Sequence, residues 1–358
     1  MRRDVAVHMP ALDGARGIAI LLVLICHGGQ QWRLPRLFEP IAWGGWAGVD
    51  LFFVISGFLI TGILLRGRGA PRGLARFWIR RALRIFPLAY AVLFACYVLS
   101  RLGATGFAPL DASTWAWFAL YGGNLYVMLY RWPLIAQVSV MWSLAIEEQF
   151  YFVWPFVARF APRWAIVLVA LALVVSAPLV RAALWPEYQG YGTAFTLGRT
   201  DGLALGSLLA LAHERPNLRE WVSRVSNTIA IPALVVGMSF ATERLGEPVW
   251  FVPYRMSVVA FGFVPLVAAS AEPGRFFKRL LGQRWLRWMG ERSYGLYLLH
   301  FLLAPAYTAL TAPWLDGGIA SIVGWILCVS IAAELSFRLF ERPLLNLRPR
   351  LEARLVAR

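Results

Sequence analysis

A charged pair lies inside the first apolar segment of the chain. Arg16 and His27 are eleven residues apart in a mostly apolar run. In a helix this spacing corresponds to about three turns, which places both side chains on one face, about 16 Å apart along the axis. Ionisable side chains at membrane depth are costly and mark functional sites. The pair therefore predicts a site that runs through a membrane, with an imidazole that can take up a proton near neutral pH.

Two further interpretations of this region stay open. His27 has a structural alternative, a hydrogen bond to a backbone carbonyl, but its shared face with Arg16 favours a catalytic base. Asp50 begins the second apolar segment and is expected near the depth of His27. Its carboxylate could orient the imidazole as in a catalytic triad, or it could cap its own helix. We therefore include Asp50 among the predicted catalytic residues.

Two adjacent glutamates, Glu147 and Glu148, lie in the middle of another apolar segment. Neighbouring residues on a helix point about 100° apart, so at most one of them faces a given partner. A carboxyl in an apolar site can act as acid, base or polar ligand. We interpret Glu147 as a catalytic residue that orients His27 or the acceptor, unless the glutamates pair with Arg199 or Arg255.

Arg81 and Arg84 share a helix face because they are three residues apart. Two guanidinium groups on one face suit a phosphate, which arginine binds through two parallel hydrogen bonds. Spacing by itself favours the alternative, in which these arginines serve membrane topology or bind anionic lipids.

The composition places these residues in a polytopic membrane protein. Of 358 residues, 59% are hydrophobic, and the mean hydropathy is +0.61. Most apolar segments approach the roughly 20 residues that a helix needs to cross the hydrocarbon core. The segments are 12–30, 46–65, 86–103, 115–131, 139–158, 164–183, 194–212, 227–242, 249–270, 293–312 and 318–338. They predict an all-α bundle formed by a single domain over residues 1–358, with no appended soluble domain.

The charge distribution fixes a topology. The net charge is +16, but the arginines concentrate in 66–85, 213–226, 271–292 and the C-terminal tail. Basic residues in short loops mark the cytoplasmic side, so we exclude nucleic-acid binding as the cause of the positive charge. The three cysteines lie in apolar segments and show neither metal-ligand spacing nor a disulfide framework.

The loop charges also constrain the number of crossings. Residues near 105 should lie outside and residues near 160 inside, yet two apolar segments connect them. Segment 115–131 contains two glycines and many aromatic residues, as at an interface or a re-entrant turn. We predict that it does not span the membrane, which leaves about ten transmembrane helices with both termini cytoplasmic.

These motifs resemble those of the bacterial acyltransferase-3 family of integral-membrane O-acyltransferases. The likeness covers essentially the whole chain, with Ala15 where leucine is more usual. The matching stretches are 12–17 followed by His27, 48–59, Arg81 with Arg84, Ser143–Leu144 with 147–151, Gly290, 293–300 and 341–343.

The resemblance implies an enzyme of the bacterial inner membrane that moves an acyl group, often acetyl, from acyl-CoA to a hydroxyl group. The acceptor would be a sugar, a surface glycan or a glycosylated natural product. Acyl-CoA would be a co-substrate, membrane lipids would surround the protein, and no cofactor would be tightly bound. The resemblance also makes Arg16 and His27 essential, and from its fourth motif we expect Ser143, Glu148 and Tyr151 to contact substrate.

We therefore predict that the CoA phosphates bind Arg81, Arg84 and Arg16 while the pantetheine arm extends towards His27. His27 would act as general base or accept the acyl group transiently. The alternative is a transporter or flippase for a polar lipid-linked sugar. Such a protein shares the intramembrane charges but needs no general base, and the sequence shows no inverted repeat of the kind typical of transporters.

Overall fold

A computed structural model describes residues 9–32, 34–107, 110–130, 136–242, 248–315 and 317–357. These residues form helices and no β-strand, which confirms the predicted all-α class. Ten helices in the described part have 14 or more residues. We number them α1 Pro10–Trp32, α2 Ala47–Arg66, α3 Gly73–Arg101, α4 Met141–Phe160, α5 Arg163–Tyr188, α6 Thr200–His213, α7 Pro216–Ala241, α8 Val252–Ala271, α9 Ser293–Thr311 and α10 Gly318–Ser336.

The chain is a multi-pass membrane protein. Within the described residues, seven of these helices are long and apolar enough to cross a membrane, the exceptions being α4, α6 and α9. The helix α4 carries the two glutamates, and α6 has only 14 residues. Ten crossings and the cytoplasmic location of both termini stay predictions.

Segment 115–131 forms two short helices, Ala112–Ala119 and Gly123–Tyr130, of eight residues each. Between them Tyr121 adopts a left-handed backbone conformation with φ of 56°. Eight helical residues extend about 12 Å, far less than the roughly 30 Å of a hydrocarbon core. In its described part, residues 115–130, the segment therefore contains no helix long enough to span the membrane, in line with its glycines and aromatic residues.

Two helices begin well before the apolar segments that mark them. The helix α3 begins at Gly73 and α7 at Pro216, so most of the arginines expected in loops 66–85 and 213–226 are helical. Arginine is a good helix former, and hydropathy marks only the apolar part of such a helix.

Burial separates central from peripheral helices. Sixteen of the 20 residues of α2 are buried, whereas only four of the 26 residues of α7 are buried. A helix with exposed apolar side chains on most of its surface suits contact with lipid. The helix α2 is thus a central element of the bundle, and α7 lies at its lipid-facing edge.

The arginine-rich segments gather at one end of the bundle, which we call the arginine-rich end. Arg68 donates to the carbonyl oxygens of Ala158 and Ala161 at the end of α4. Arg163 pairs with Glu214 at 2.9 Å, joining the start of α5 to the end of α6. The predicted loops thus lie on a common side.

The beginning of α1 is fixed at this end by close backbone contacts. A Cβ atom at Gly17 would overlap the carbonyl oxygen of Leu286, and one at Gly290 would overlap that of Asp13. Small residues allow helices to approach this closely. The contacts hold α1 against the short helix Arg284–Glu291 and so set the rotation of the face that carries Arg16 and His27.

Candidate active site

The helices α1 and α9 meet at two polar contacts. Near the arginine-rich end, Nη2 of Arg16 donates to Oγ of Ser293 at 3.1 Å. Further along both helices, Nδ1 of His27 lies 3.0 Å from Nε2 of His300. The contacts follow the same order on both helices, so α1 and α9 run in the same direction. The predicted charged face of α1 is therefore covered by a polar face of α9.

The hydrogen bonds of His300 determine the tautomers of both histidines. Nδ1 of His300 lies 2.5 Å from the carbonyl oxygen of Tyr297, and a carbonyl oxygen can only accept. Nδ1 of neutral His300 is therefore protonated and its Nε2 is an acceptor, so Nδ1–H of His27 donates to it. This assignment leaves a lone pair on Nε2 of His27, the form that a general base requires.

The histidine pair lies among aromatic rings. The two imidazole planes are 9° apart, and the ring of Phe301 lies 4.5 Å from that of His27. Nε1 of Trp325 donates to the carbonyl oxygen of His300 at 3.2 Å. His300 is fully buried, whereas His27 is only half-buried. This packing holds His300 in place and leaves His27 as the accessible member of the pair.

Glu147 belongs to a second polar group, on α4. Its Oε2 accepts a hydrogen bond of 3.0 Å from the hydroxyl of Tyr151, which also hydrogen bonds to Ser56. The guanidinium of Arg81 lies over the Tyr151 ring, 4.6 Å from its centroid. Glu147 also interacts electrostatically with Arg81 and Arg16. The carboxylate and the arginines predicted from separate motifs are thus brought together.

Asp50 takes a role that differs from the predicted one. Its Oδ1 lies 3.2 Å from Nη1 of Arg199, and both side chains are buried. The face of α2 that approaches α1 carries Gly48, which packs against the carbonyl oxygen of Ala19. Asp50 is two residues further along and points about 200° away from Gly48. The structure thus pairs Asp50 with Arg199 and places His300 at Nδ1 of His27, the position expected for Asp50, so a role of Asp50 in catalysis stays a prediction. Glu147 likewise does not contact His27.

A cavity of about 320 Å³ opens among the arginines, and we call it the arginine cavity. Its polar lining contains five arginines and one carboxylate. The lining residues are Arg16, Phe52, Ile55, Ser56, Leu59, Ile63, Phe77, Arg80, Arg81, Arg84, Ile85, Leu144, Glu147, Tyr151, Tyr294 and Arg348. This excess of positive charge suits a ligand with several phosphate groups.

A smaller cavity of about 90 Å³, the inner cavity, continues from it. The two share Arg16, Glu147 and Tyr294 in their linings, and the inner cavity adds Ser143 and Tyr297. The hydroxyls of Ser143 and Tyr297 are 2.7 Å apart. The ring of Tyr297 lies 5.7 Å from that of His300. The inner cavity thus ends one aromatic ring away from the histidine pair.

A third cavity, of about 500 Å³, lies at the other end of α1, and we call it the far cavity. It is lined by Gln31, Trp32, Thr308, Thr311, Ala312, Leu315, Gly317 and Gly318. Gln31 follows His27 by one helical turn, about 6 Å along the axis. The histidine pair therefore lies between a basic cavity at one end of the bundle and a cavity with hydroxyl and indole groups at the other.

The family model described as an acyltransferase domain matches residues 9–337. The chain belongs to the acyltransferase-3 family. Peptidoglycan O-acetyltransferase OatA of Listeria monocytogenes is 31% identical to it over 94% of this chain and 56% of the relative. O-acetyltransferase OatA of Staphylococcus aureus is 28% identical over 94% of this chain and 57% of the relative. The chain thus spans little more than half the length of these relatives. No solved structure matches the chain.

Most of the acyltransferase-3 motifs contribute residues to the arginine cavity or the inner cavity, but two predicted residues fit less well. Glu148 is absent from the linings of both the arginine cavity and the inner cavity. Its Oε1 is buried without a hydrogen-bond partner among the described residues. Asp50 also lies outside both linings. Ser143 lines the inner cavity, Tyr151 lines the arginine cavity and Glu147 lines both, and their predicted roles in the reaction stay predictions.

The sequence interpretation missed the role of His300. This histidine lies in an apolar helix and at the end of the family stretch 293–300. The two features that indicate a function for His27, an apolar segment and a family motif, therefore apply to His300 as well. Its pairing with His27 joins residues 273 positions apart and has no local signal. Tyr297 was missed for the same reason, although a tyrosine one turn before an intramembrane histidine shares its face.

Proposed function

We propose that the chain is a membrane O-acyltransferase that transfers an acyl group, typically acetyl, from acyl-CoA to a hydroxyl of a glycan or sugar. One observation carries the proposal: a cavity rich in arginines leads, through the inner cavity, towards a histidine pair whose tautomers leave one base nitrogen accessible. Family membership and the O-acetyltransferase names of the relatives support the same reaction class.

The donor would enter from the arginine-rich end. Arg81 and Arg84 line the arginine cavity together with Arg16, and guanidinium groups bind phosphate oxygens bidentately. Arg16 and His27 are separated by about 16 Å along α1. An extended pantetheine arm is suited to such a distance, so phosphates held at the arginines would place the thioester near the inner end of the cavities.

His27 would activate the acceptor. Its Nε2 takes the proton of the hydroxyl while the oxygen attacks the thioester carbonyl, so the new C–O bond forms as the C–S bond breaks. The departing thiolate of CoA then receives the proton from His27. Throughout, Nδ1–H of His27 donates to His300, which keeps the imidazole in one orientation. Alternatively, Nε2 of His27 could accept the acyl group from the thioester and pass it to the acceptor hydroxyl in a second step.

The acceptor would approach from the far cavity. Trp32 offers an aromatic ring, and Thr308 and Thr311 offer hydroxyls, groups that suit the apolar faces and hydroxyls of sugars. Because the relatives named for peptidoglycan are longer than this chain, we propose a glycan or sugar hydroxyl as the acceptor class. The transporter alternative gains no support from the family assignment.

The reaction can be tested with purified protein in detergent. Acetyl-CoA would be supplied with soluble peptidoglycan fragments and with N-acetylglucosamine oligomers, and the acetylated product would be measured by mass spectrometry. We expect His27→Gln to lower the rate by about 10²–10⁴-fold, the typical contribution of a general base, while CoA binding survives. His213→Gln is the matched control, because His213 lies at the arginine-rich end beside Glu272. Equal rates for wild type and His27→Gln would exclude His27 as the base.

A further inference from the structure

The C-terminal helix Arg348–Ala357 is joined to α3 by the pairing of Arg80 with Glu352. Arg80 donates to Glu352 through two hydrogen bonds, Nε to Oε1 at 2.6 Å and Nη2 to Oε2 at 2.8 Å. Arg348 donates to the same Oε1 at 3.0 Å. Two guanidinium groups, from distant parts of the chain, therefore converge on one carboxylate.

Both arginines also line the arginine cavity, whereas Glu352 is not among its lining residues. A fork of two arginines around one anion matches the geometry with which arginine binds phosphate. The carboxylate of Glu352 is partly exposed, at 19% of its side-chain surface. A phosphate carries more charge and more acceptor oxygens than this carboxylate, so it can compete with Glu352 for the two arginines.

The order of arginines along the cavity matches the order of phosphates in CoA. Arg84 is one turn further along α3 than Arg80, and Arg16 contacts Ser293 on α9. From its thiol end, CoA presents the pantetheine arm, then the diphosphate, then the ribose with its 3′-phosphate. With the thiol directed towards His27, the diphosphate meets Arg84 and Arg16 first. The 3′-phosphate then lies nearer the opening of the arginine cavity at the arginine-rich end.

We propose that Arg80 and Arg348 form a subsite for the 3′-phosphate of CoA, and that Glu352 holds the two arginines together when the subsite is empty. This inference rests on acyl-CoA as the proposed donor. Arg80 lies within residues 9–337, which the family model matches, whereas Arg348 and Glu352 lie beyond them.

The subsite is tested by comparing CoA with 3′-dephospho-CoA, using calorimetry on the full-length protein in neutral detergent. Wild type should bind CoA about 10-fold more tightly, the value of one charge-assisted hydrogen-bonded contact at a partly exposed site. Arg348→Gln should lose this preference and keep its affinity for dephospho-CoA. Arg350→Gln, an exposed arginine on the same helix, is the matched control and should behave as wild type.

Glu352→Gln provides the opposite change. Without the competing carboxylate we expect CoA to bind about threefold more tightly, with dephospho-CoA unaffected, and weaker CoA binding would contradict the role of Glu352. Equal wild-type affinities for the two nucleotides would overturn the subsite alone. Failure to bind either would overturn the proposed donor as well. If Arg348→Gln keeps the CoA preference but loses binding to vesicles of phosphatidic acid, the subsite holds a lipid phosphate instead.

Discussion

His27 and His300 share one hydrogen bond, 3.0 Å long between Nδ1 of the first and Nε2 of the second, with ring planes 9° apart. Nδ1–H of His300 also donates to the carbonyl oxygen of Tyr297. This backbone contact makes Nε2 of His300 the acceptor and Nδ1 of His27 the donor in the bond between the histidines. The buried histidine thus orients its neighbour, and Nε2 of the half-buried histidine keeps the lone pair that a general base would need. Like the carboxylate of a catalytic triad, His300 fixes the tautomer and the orientation of the neighbouring imidazole, but it supplies no negative charge.

The first prediction concerns His300. His300→Phe removes the acceptor for His27, so the imidazole can rotate or change tautomer, and we expect kcat to fall about 10²-fold, a typical cost of misplacing a catalytic group. The KM for acetyl-CoA should stay within about twofold. His300→Gln retains a carbonyl acceptor on a side chain of similar reach and should recover part of kcat. The measurement is steady-state kinetics in detergent. A parallel loss of donor affinity, or equal damage by both variants, would indicate a purely structural role.

The second prediction concerns the donor phosphates. Arg81→Ala combined with Arg84→Ala removes two guanidinium groups from the arginine cavity, and we expect CoA binding to weaken by about 100-fold or more. Wild-type binding should also weaken as salt rises, because screening reduces charge-based affinity. Calorimetry at several ionic strengths measures both effects. Arg72→Ala, at the exposed start of α3, is the control. Unchanged CoA affinity in the double variant would assign these arginines to topology alone.

The third prediction separates structure from catalysis at Asp50. Asp50→Ala leaves Arg199 buried without its carboxylate, a change that typically costs about 3–5 kcal/mol. We therefore expect a lower thermal midpoint in detergent and a loss of folded protein. Replacing the pair together, with Asp50→Leu and Arg199→Met, should recover most of the stability because neither member of the pair is then left as an uncompensated buried charge. If the Asp50→Ala protein has the wild-type thermal midpoint but a reduced kcat, Asp50 takes part in catalysis instead.

The fourth prediction concerns orientation in the membrane. Reporters fused after residues 72, 218 and 282 should all read cytoplasmic, since the arginine-rich segments mark that side. Reporters after residues 36 and 190 should read external. Alkaline phosphatase and green fluorescent protein fusions give complementary signals for each position. An external signal at residue 72 would place the arginine cavity on the wrong side for a cytoplasmic donor.

Features that depend on neighbouring residues could be predicted from the sequence. Hydropathy gave the all-α membrane class, because each helix must satisfy its own backbone hydrogen bonds in lipid. Helical periodicity placed Arg16 with His27, and Arg81 with Arg84, since the geometry within one helix follows from spacing alone. The glycines of segment 115–131 identified a stretch that forms no spanning helix.

The partners of those residues depended on how the helices pack. Periodicity gives the angle between two side chains of one helix, but it does not give the rotation of that helix against another. In this chain the rotation is set by backbone contacts such as Gly17 with Leu286 and Gly48 with Ala19. These contacts turn His27 towards His300 and Asp50 towards Arg199. The sequence alone indicated candidate side chains such as Arg16, His27 and Glu147, whereas the close packing of distant helices decided which of them meet and brought His300 beside His27.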